Sequence, residues 1–170
     1  MIKKHWYAVY VRSRNEKKVY ELIKEKDIET YLPLIKTIRQ WSDRKKMVEV
    51  PLFNSYVFVK ILPANFYQVL AVDGAVKFIK FEGKPAHIPD EQIESLKLLL
   101  HSGEKFEVSI EEFETGEMVE VINGPLTGFK GILVRYKNKN RALLHIDSIN
   151  QTLIINILPS YLRKVKSETK

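Results

Sequence analysis

Few residue types in this chain stand at spacings that could make or break bonds. His5, His87, His101 and His145 are far apart, and none sits one helical turn from another candidate ligand, so the pattern of a metal site is missing. The absence of cysteine removes a thiol nucleophile, a disulfide and Cys-ligated zinc together, and fits a reducing, cytoplasmic setting. Gly124, Gly128, Gly131 and Lys130 do not make a phosphate-binding loop, because no Gly-Lys-Ser/Thr step opens a helix. The serines lack a Gly-x-Ser-x-Gly elbow, and no carboxylate stands in a distinctive motif with a partner. No catalytic residue, metal site or cofactor is expected. The chemistry on offer is recognition: the aromatic rings of Trp6, Tyr10, Phe53, Tyr56 and Phe58, and the cations Arg12, Arg14, Lys17 and Lys18. Such rings stack, and such cations meet phosphate.

The elements that must position these residues follow from periodicity. Trp6 to Arg12 alternates, with Tyr7, Val9 and Val11 on one face of a strand and Trp6, Ala8, Tyr10 and Arg12 on the other. Ser13 to Glu16 reads as a capping box, opening a helix whose Val19, Leu22 and Ile23 should lie on a sheet. Two β-rich stretches, about 31–41 and 48–61, flank a basic turn at 42–46, and Pro33 and Pro51 argue against regular central pairing there. A short helix is expected near Pro63, a strand over 76–81, and a helix opening at Ile88-Pro-Asp90 with Ile93, Leu96 and Leu100. If the strands bearing Trp6 and Tyr56 pair, one sheet face is β-branched and the other aromatic. Two arrangements are then open: helices cover both faces, or part of the aromatic face stays exposed as a pocket for a partner helix. The cations beside it are either phosphate contacts or solvated surface charge.

The formal charge of +7 is unevenly spread: residues 1–60 hold 14 Lys/Arg against 7 Asp/Glu, and residues 119–170 hold 9 against 3. Between them, residues 102–118 carry one Lys and six Glu, the composition of a solvated connector. The expected division is therefore a first domain over 1–101, an acidic linker over 102–114, a barrel over 115–166 and a tail over 167–170. The apolar content of 45% is enough for two small cores, and no segment approaches the length of a membrane span. From residue 117 onward only strands are predicted, five in all. Within them Val119 to Val134 specifies a tight hairpin, its glycines falling where φ must be positive or a second strand comes close.

That hairpin looks like a KOW motif. The opening His5-Trp-Tyr-Ala-Val-Tyr-Val-Arg-Ser-Arg-Asn-Glu-Lys-Lys18, Tyr31-Leu-Pro33, and Pro51-Leu-Phe-Asn-Ser-Tyr-Val-Phe-Val59 resemble the NGN domain of NusG-type transcription factors. The resemblance spans nearly the whole chain. It implies an α+β fold, an NGN sandwich followed by a small SH3-like β-barrel, and a monomeric elongation or antitermination factor rather than an enzyme.

By the same resemblance, Trp6, Phe53, Asn54, Ser55, Tyr56 and Phe113 would receive the clamp helices of RNA polymerase. Tyr10, Arg12, Arg14, Lys17 and Lys18 would meet non-template DNA in the transcription bubble, and Leu126 and Phe129 would present the KOW domain to a small-subunit ribosomal protein or to Rho. The family often has Pro-Gly where this chain has Asn54-Ser55, and many members have Phe where it has Leu126. The Leu126 departure bears on ribosome coupling, whereas Asn54-Ser55, with Arg39-Gln-Trp-Ser-Asp-Arg-Lys-Lys46 and Leu143-Leu-His-Ile-Asp-Ser148, resembles specialised antitermination paralogues of surface-polysaccharide operons, of the RfaH and UpxY type. A housekeeping NusG-type factor coupling transcription to translation is the alternative. A third reading is a ribosome-associated RNA binder using Lys130, Arg135, Lys137, Lys139 and Arg141.

Overall fold

The computed structural model describes residues 3–109, 116–136 and 139–165. Phe113 and Lys137 lie outside the described residues. Chain contacts divide the molecule after Ile88 into two units.

The first unit runs β1 (His5–Val11), α1 (Glu16–Lys24), β2 (Glu29–Tyr31), β3 (Leu34–Gln40), β4 (Lys45–Pro51), β5 (Tyr56–Ile61), α2 (Phe66–Leu70), β6 (Ala75–Phe78), β7 (Lys80–Phe81), β8 (Lys84–Pro85) and β9 (His87–Ile88). Its main sheet has the order β2-β5-β1-β6, with β9 also on β1, and every pairing is antiparallel. The β1–β5 register sets Tyr7 opposite Val59 and Val9 opposite Val57 on one face, and Trp6 opposite Lys60, Ala8 opposite Phe58 and Tyr10 opposite Tyr56 on the other. Val19 and Ile23, one helical turn apart, join the first face in one buried cluster with Val69, Val72 and Phe78. Full burial of a side chain such as Ile23 stabilises by about 1.5–3 kcal/mol. The expected two-faced sheet, β-branched and aromatic, is what forms.

β3 and β4 leave this sheet as a separate two-stranded ribbon. Pro33 and Pro51 sit at its base, where the Leu52 N–H donates to the Pro33 carbonyl at 2.8 Å. This is the arrangement that the prolines imposed, since each removes a donor that a central strand would need. The expected strand over 76–81 is broken at Ile79, whose N–H turns to the Ala8 carbonyl at 3.0 Å.

The second unit holds α3 (Asp90–Ser102), β10 (Phe106–Ser109), β11 (Glu117–Val121), β12 (Lys130–Tyr136), β13 (Lys139–Ile146), β14 (Gln151–Asn156) and β15 (Leu162–Lys164). The strands run in the order β10-β14-β13-β12-β11-β15. Val119, Val121, Phe129, Ala142, Leu144, Leu153 and Ile155 are buried, with their alternation giving the inner face of the barrel sheet. Among the described residues the five strands expected from residue 117 onward form, and a sixth joins their sheet from before it. Phe106 to Ser109, within the expected acidic linker, pairs with β14. Its alternating Phe106 and Val108 outweigh the glutamates that dominated the local composition.

The division after Ile88 also differs from the expected one near residue 101. α3 is capped by Pro89 and ends at Gly103 in the left-handed region (φ 71°), and it packs on β12 and β13. The Ser95 hydroxyl donates to the Lys130 carbonyl at 3.4 Å and accepts from the Lys130 N–H at 3.2 Å. Leu143 and Ile154, opposite one another on the outer face of β13 and β14, are buried as well.

Candidate functional site

On the first unit, the aromatic face grades from a sealed end to an accessible one. Phe58 is fully buried, Phe53 meets it edge-on at 6.1 Å between ring centres, and Tyr31 stacks beside it at 6.5 Å. Trp6 is only 2% exposed, with the Lys60 ammonium 5.8 Å from its ring centre. Phe53 is buried to the same degree, at 3% exposed. Both rings are buried apolar anchors, as expected for bulky side chains that gain most by leaving water. The reachable end is Tyr56, half-buried and edge-on to Tyr10 at 5.9 Å, together with Tyr10 itself and exposed Asn54.

The loop before β5 is held from below. Ser55 lies in the left-handed region (φ 65°), where a non-glycine residue is strained. Its N–H donates to the Glu16 carboxylate at 2.7 Å, and its carbonyl accepts from the Val11 N–H at 2.9 Å. Glu16, at the first position of α1, is 6% exposed. The capping box expected from Ser13 and Glu16 does not form. Asn15 is the N-cap, with no side-chain cap bond; its amide donates to the Ser13 carbonyl at 3.1 Å, while the Glu16 carboxylate is committed to Ser55.

The basic rim is assembled but partly neutralised. Arg12 and Lys18 both bond Asp73, at 3.2 Å and 2.6 Å, with all three side chains exposed. The Lys18 hydrogen bond and charge, and then the Arg12 charge, hold the Asp73 carboxyl below its ordinary range. Lys17 donates to the Glu49 carbonyl at 2.7 Å, tying α1 to the ribbon. Arg14 is exposed in a left-handed turn (φ 64°). Lys77, which sequence reasoning missed, places its ammonium 6.0 Å from the Tyr10 ring centre, and β6 pairs it directly with Tyr10. Asp73 was missed too, and Glu16 was assigned to a cap rather than to Ser55, since neither has a local pattern that names its partner.

In the second unit the two expected partner-binding residues turn out to be core. Phe129 is fully buried and Leu126 is 4% exposed, because the hairpin loop folds them inward. Leu126 does line a cavity of about 200 Å³ with Val121, Asn123, Pro125, Leu158 and Tyr161. The exposed apolar groups beside it are Ile122 and Leu158. Of the cations considered for RNA, Lys130 pairs with Glu91 at 3.1 Å, Arg141 is buried, and Arg135 and Lys139 are exposed. Among the described residues, no cluster of three potential metal ligands occurs and no helix is long and apolar enough to cross a membrane.

Sheet, ribbon and barrel strands make a mixed α+β fold with a first α+β unit followed by a small barrel. A family model described as NusG, transcription termination factor, matches residues 4–97, more than half of the chain, and the protein belongs to the NusG family of transcription termination and antitermination factors. The transcription termination/antitermination protein NusG of Helicobacter pylori (strain J99) is 26% identical over 94% of this chain and 98% of its own length. That of Campylobacter jejuni is 24% identical over 94% of this chain and 97% of its own length. A solved structure described as the domain interaction in Thermotoga maritima NusG is 25% identical, with a TM-score of 0.48 over 96% of this chain and 98% of that one.

Proposed function

We propose that this chain binds RNA polymerase through the reachable end of its aromatic face and suppresses pausing or termination on selected long operons. The observation that carries this reading is the Glu16–Ser55 bond, which fixes the loop Phe53–Tyr56 so that Asn54 and Tyr56 face outward beside a basic rim. Trp6 and Phe53 stiffen that surface from within rather than touching the clamp helices, and Phe113 remains a candidate on the strength of the family resemblance. Tyr10, Arg12, Arg14, Lys17, Lys18 and Lys77 supply an aromatic ring and cations for the exposed non-template strand. Binding free energy would then shift a polymerase equilibrium away from its paused state.

The specialised reading is supported by Ser55, which adopts the left-handed turn with a buried carboxylate as support. Leu126 in place of the usual Phe points the same way, and a contact to a ribosomal protein or Rho would run through Ile122 and Leu158 around the Leu126 cavity. The RNA-binding alternative is weakened by Lys130 and Arg141, one ion-paired and the other buried. The test is binding to a reconstituted transcription elongation complex. Tyr56→Ala is expected to lose binding while staying folded, and retained affinity in that variant would remove the surface from consideration.

A further inference from the structure

The ribbon of β3 and β4 exposes Ile38, Trp41 and Met47 among cations, and neither the proposed polymerase contact nor the rim uses its tip. Trp41 is 56% exposed, at a two-residue turn closed by the Trp41 N–H donating to the Arg44 carbonyl at 2.8 Å. The register pairs Arg39 with Lys46 and Ile38 with Met47. By strand alternation Trp41 and Arg44 continue the Arg39–Lys46 face, whereas Ile38 and Met47 lie on the other. Residues 36–46 hold Lys36, Arg39, Arg44, Lys45 and Lys46 against Asp43, a net charge of +4. Among the described residues, Arg39, Arg44 and Lys46 make no ion pair, unlike Arg12 and Lys18 on the rim.

An indole left in water costs hydration free energy, and closely spaced like charges repel, so the tip does not stabilise the fold by itself. Both penalties vanish when the tip meets a flat apolar ring flanked by negative charges. We propose that the ribbon tip is a second nucleic-acid contact, with Trp41 stacking on an unpaired base while Arg39, Arg44 and Lys46 hold the adjoining phosphates. An exposed ring among cations suits a single strand, since a paired base offers no free face. Same-face residues along a strand recur every ~7 Å, a step that follows an extended backbone. The contact is separate from Tyr10 and the rim, and it does not depend on polymerase.

The experiment uses the full-length protein and single-stranded DNA of about 15 nucleotides, without polymerase. The chain has two tryptophans, and Trp6 is buried, so quenching of indole fluorescence by DNA reports on Trp41. Wild type is expected to quench. Trp41→Phe should bind without that signal, and Trp41→Ala should weaken binding, read by anisotropy of labelled DNA, roughly 5- to 150-fold. Arg39→Ala with Lys46→Ala should flatten the salt dependence by about 1.4 in log–log slope.

Unquenched fluorescence, unchanged affinity in Trp41→Ala, or the absence of any single-strand binding overturns the proposal. So does equal binding of blunt duplex, or Trp41-dependent binding of polyglutamate, which would make the partner an acidic protein. If Arg12→Ala with Lys18→Ala abolishes DNA binding while Trp41→Ala leaves it intact, the tip contact fails and the rim contact stands.

Discussion

Removing the Glu16 carboxylate tests whether the loop before β5 is held as described. In Glu16→Ala the Ser55 N–H loses a charge-assisted bond of 2.7 Å in a partly buried setting, and α1 loses a negative group at its N-terminus. The first loss is worth about 1.5–3 kcal/mol and the second about 0.3–1 kcal/mol, so a total of about 2–4 kcal/mol is expected. Ser55→Gly acts oppositely. It relieves about 1–2 kcal/mol of left-handed strain and returns about 0.5–1 kcal/mol through the freer unfolded chain, leaving a gain of up to ~1 kcal/mol. Urea unfolding in a Trp41→Phe background leaves Trp6 as the sole indole, so its fluorescence reports on the sheet of the first unit. With a slope of about 1–2 kcal/mol per molar urea, Glu16→Ala should lower the midpoint by about 1–4 M. Adding Ser55→Gly should recover less than half, since glycine eases the torsion but leaves the N–H unpaired. A midpoint change in Glu16→Ala below about 0.3 M, or a clear loss of stability in Ser55→Gly alone, would refute the account, because either would mean that the bond or the strain is not there.

Two further outcomes are expected. Gly131→Ala should destabilise the barrel by about 1–3 kcal/mol, seen as faster amide exchange across β12 and β13, because a Cβ there would come within 2.5 Å of the Leu143 carbonyl oxygen. Asp73 has a depressed carboxyl, so its contribution to stability is present above the ordinary Asp range near pH 4 and is lost as pH falls through the lower folded-state value. Asp73→Asn should therefore lower the unfolding midpoint slightly at pH 6–8, where the wild-type carboxylate is paired, and the difference from wild type should vanish as pH falls below about 4, while DNA affinity rises through release of Arg12 and Lys18.

What the sequence made legible was what local pattern determines. Period-2 alternation assigned Trp6, Tyr10, Tyr56 and Phe58 to one sheet face, and the register confirms that assignment. Gly124 and Gly128 have positive φ (82° and 92°), and Gly131 has no room for a side chain, as the hairpin reading required. The rest depends on distant partners. Glu16 was read as a cap because Ser13 is near in sequence, whereas its partner is 39 residues away. Ser55 gave no sign of a left-handed turn, since only glycine advertises one. The glutamates around Phe106 hid a strand whose pairing is with residues 152–155. Leu126 and Phe129 were taken for surface because a family role suggested it, while their burial is set by how the hairpin loop closes.

β1 is central to its sheet, with partners in β5, β6 and β9. During synthesis it also leaves the ribosome before any of its partners. Its partners begin at Tyr56 and end at Ile88, so at about 5–20 residues per second this run of tryptophan, tyrosines and valines waits roughly 4–15 s before its last neighbour emerges. The element that fixes the aromatic face is thus made early and satisfied late, so β1 needs shelter while translation proceeds.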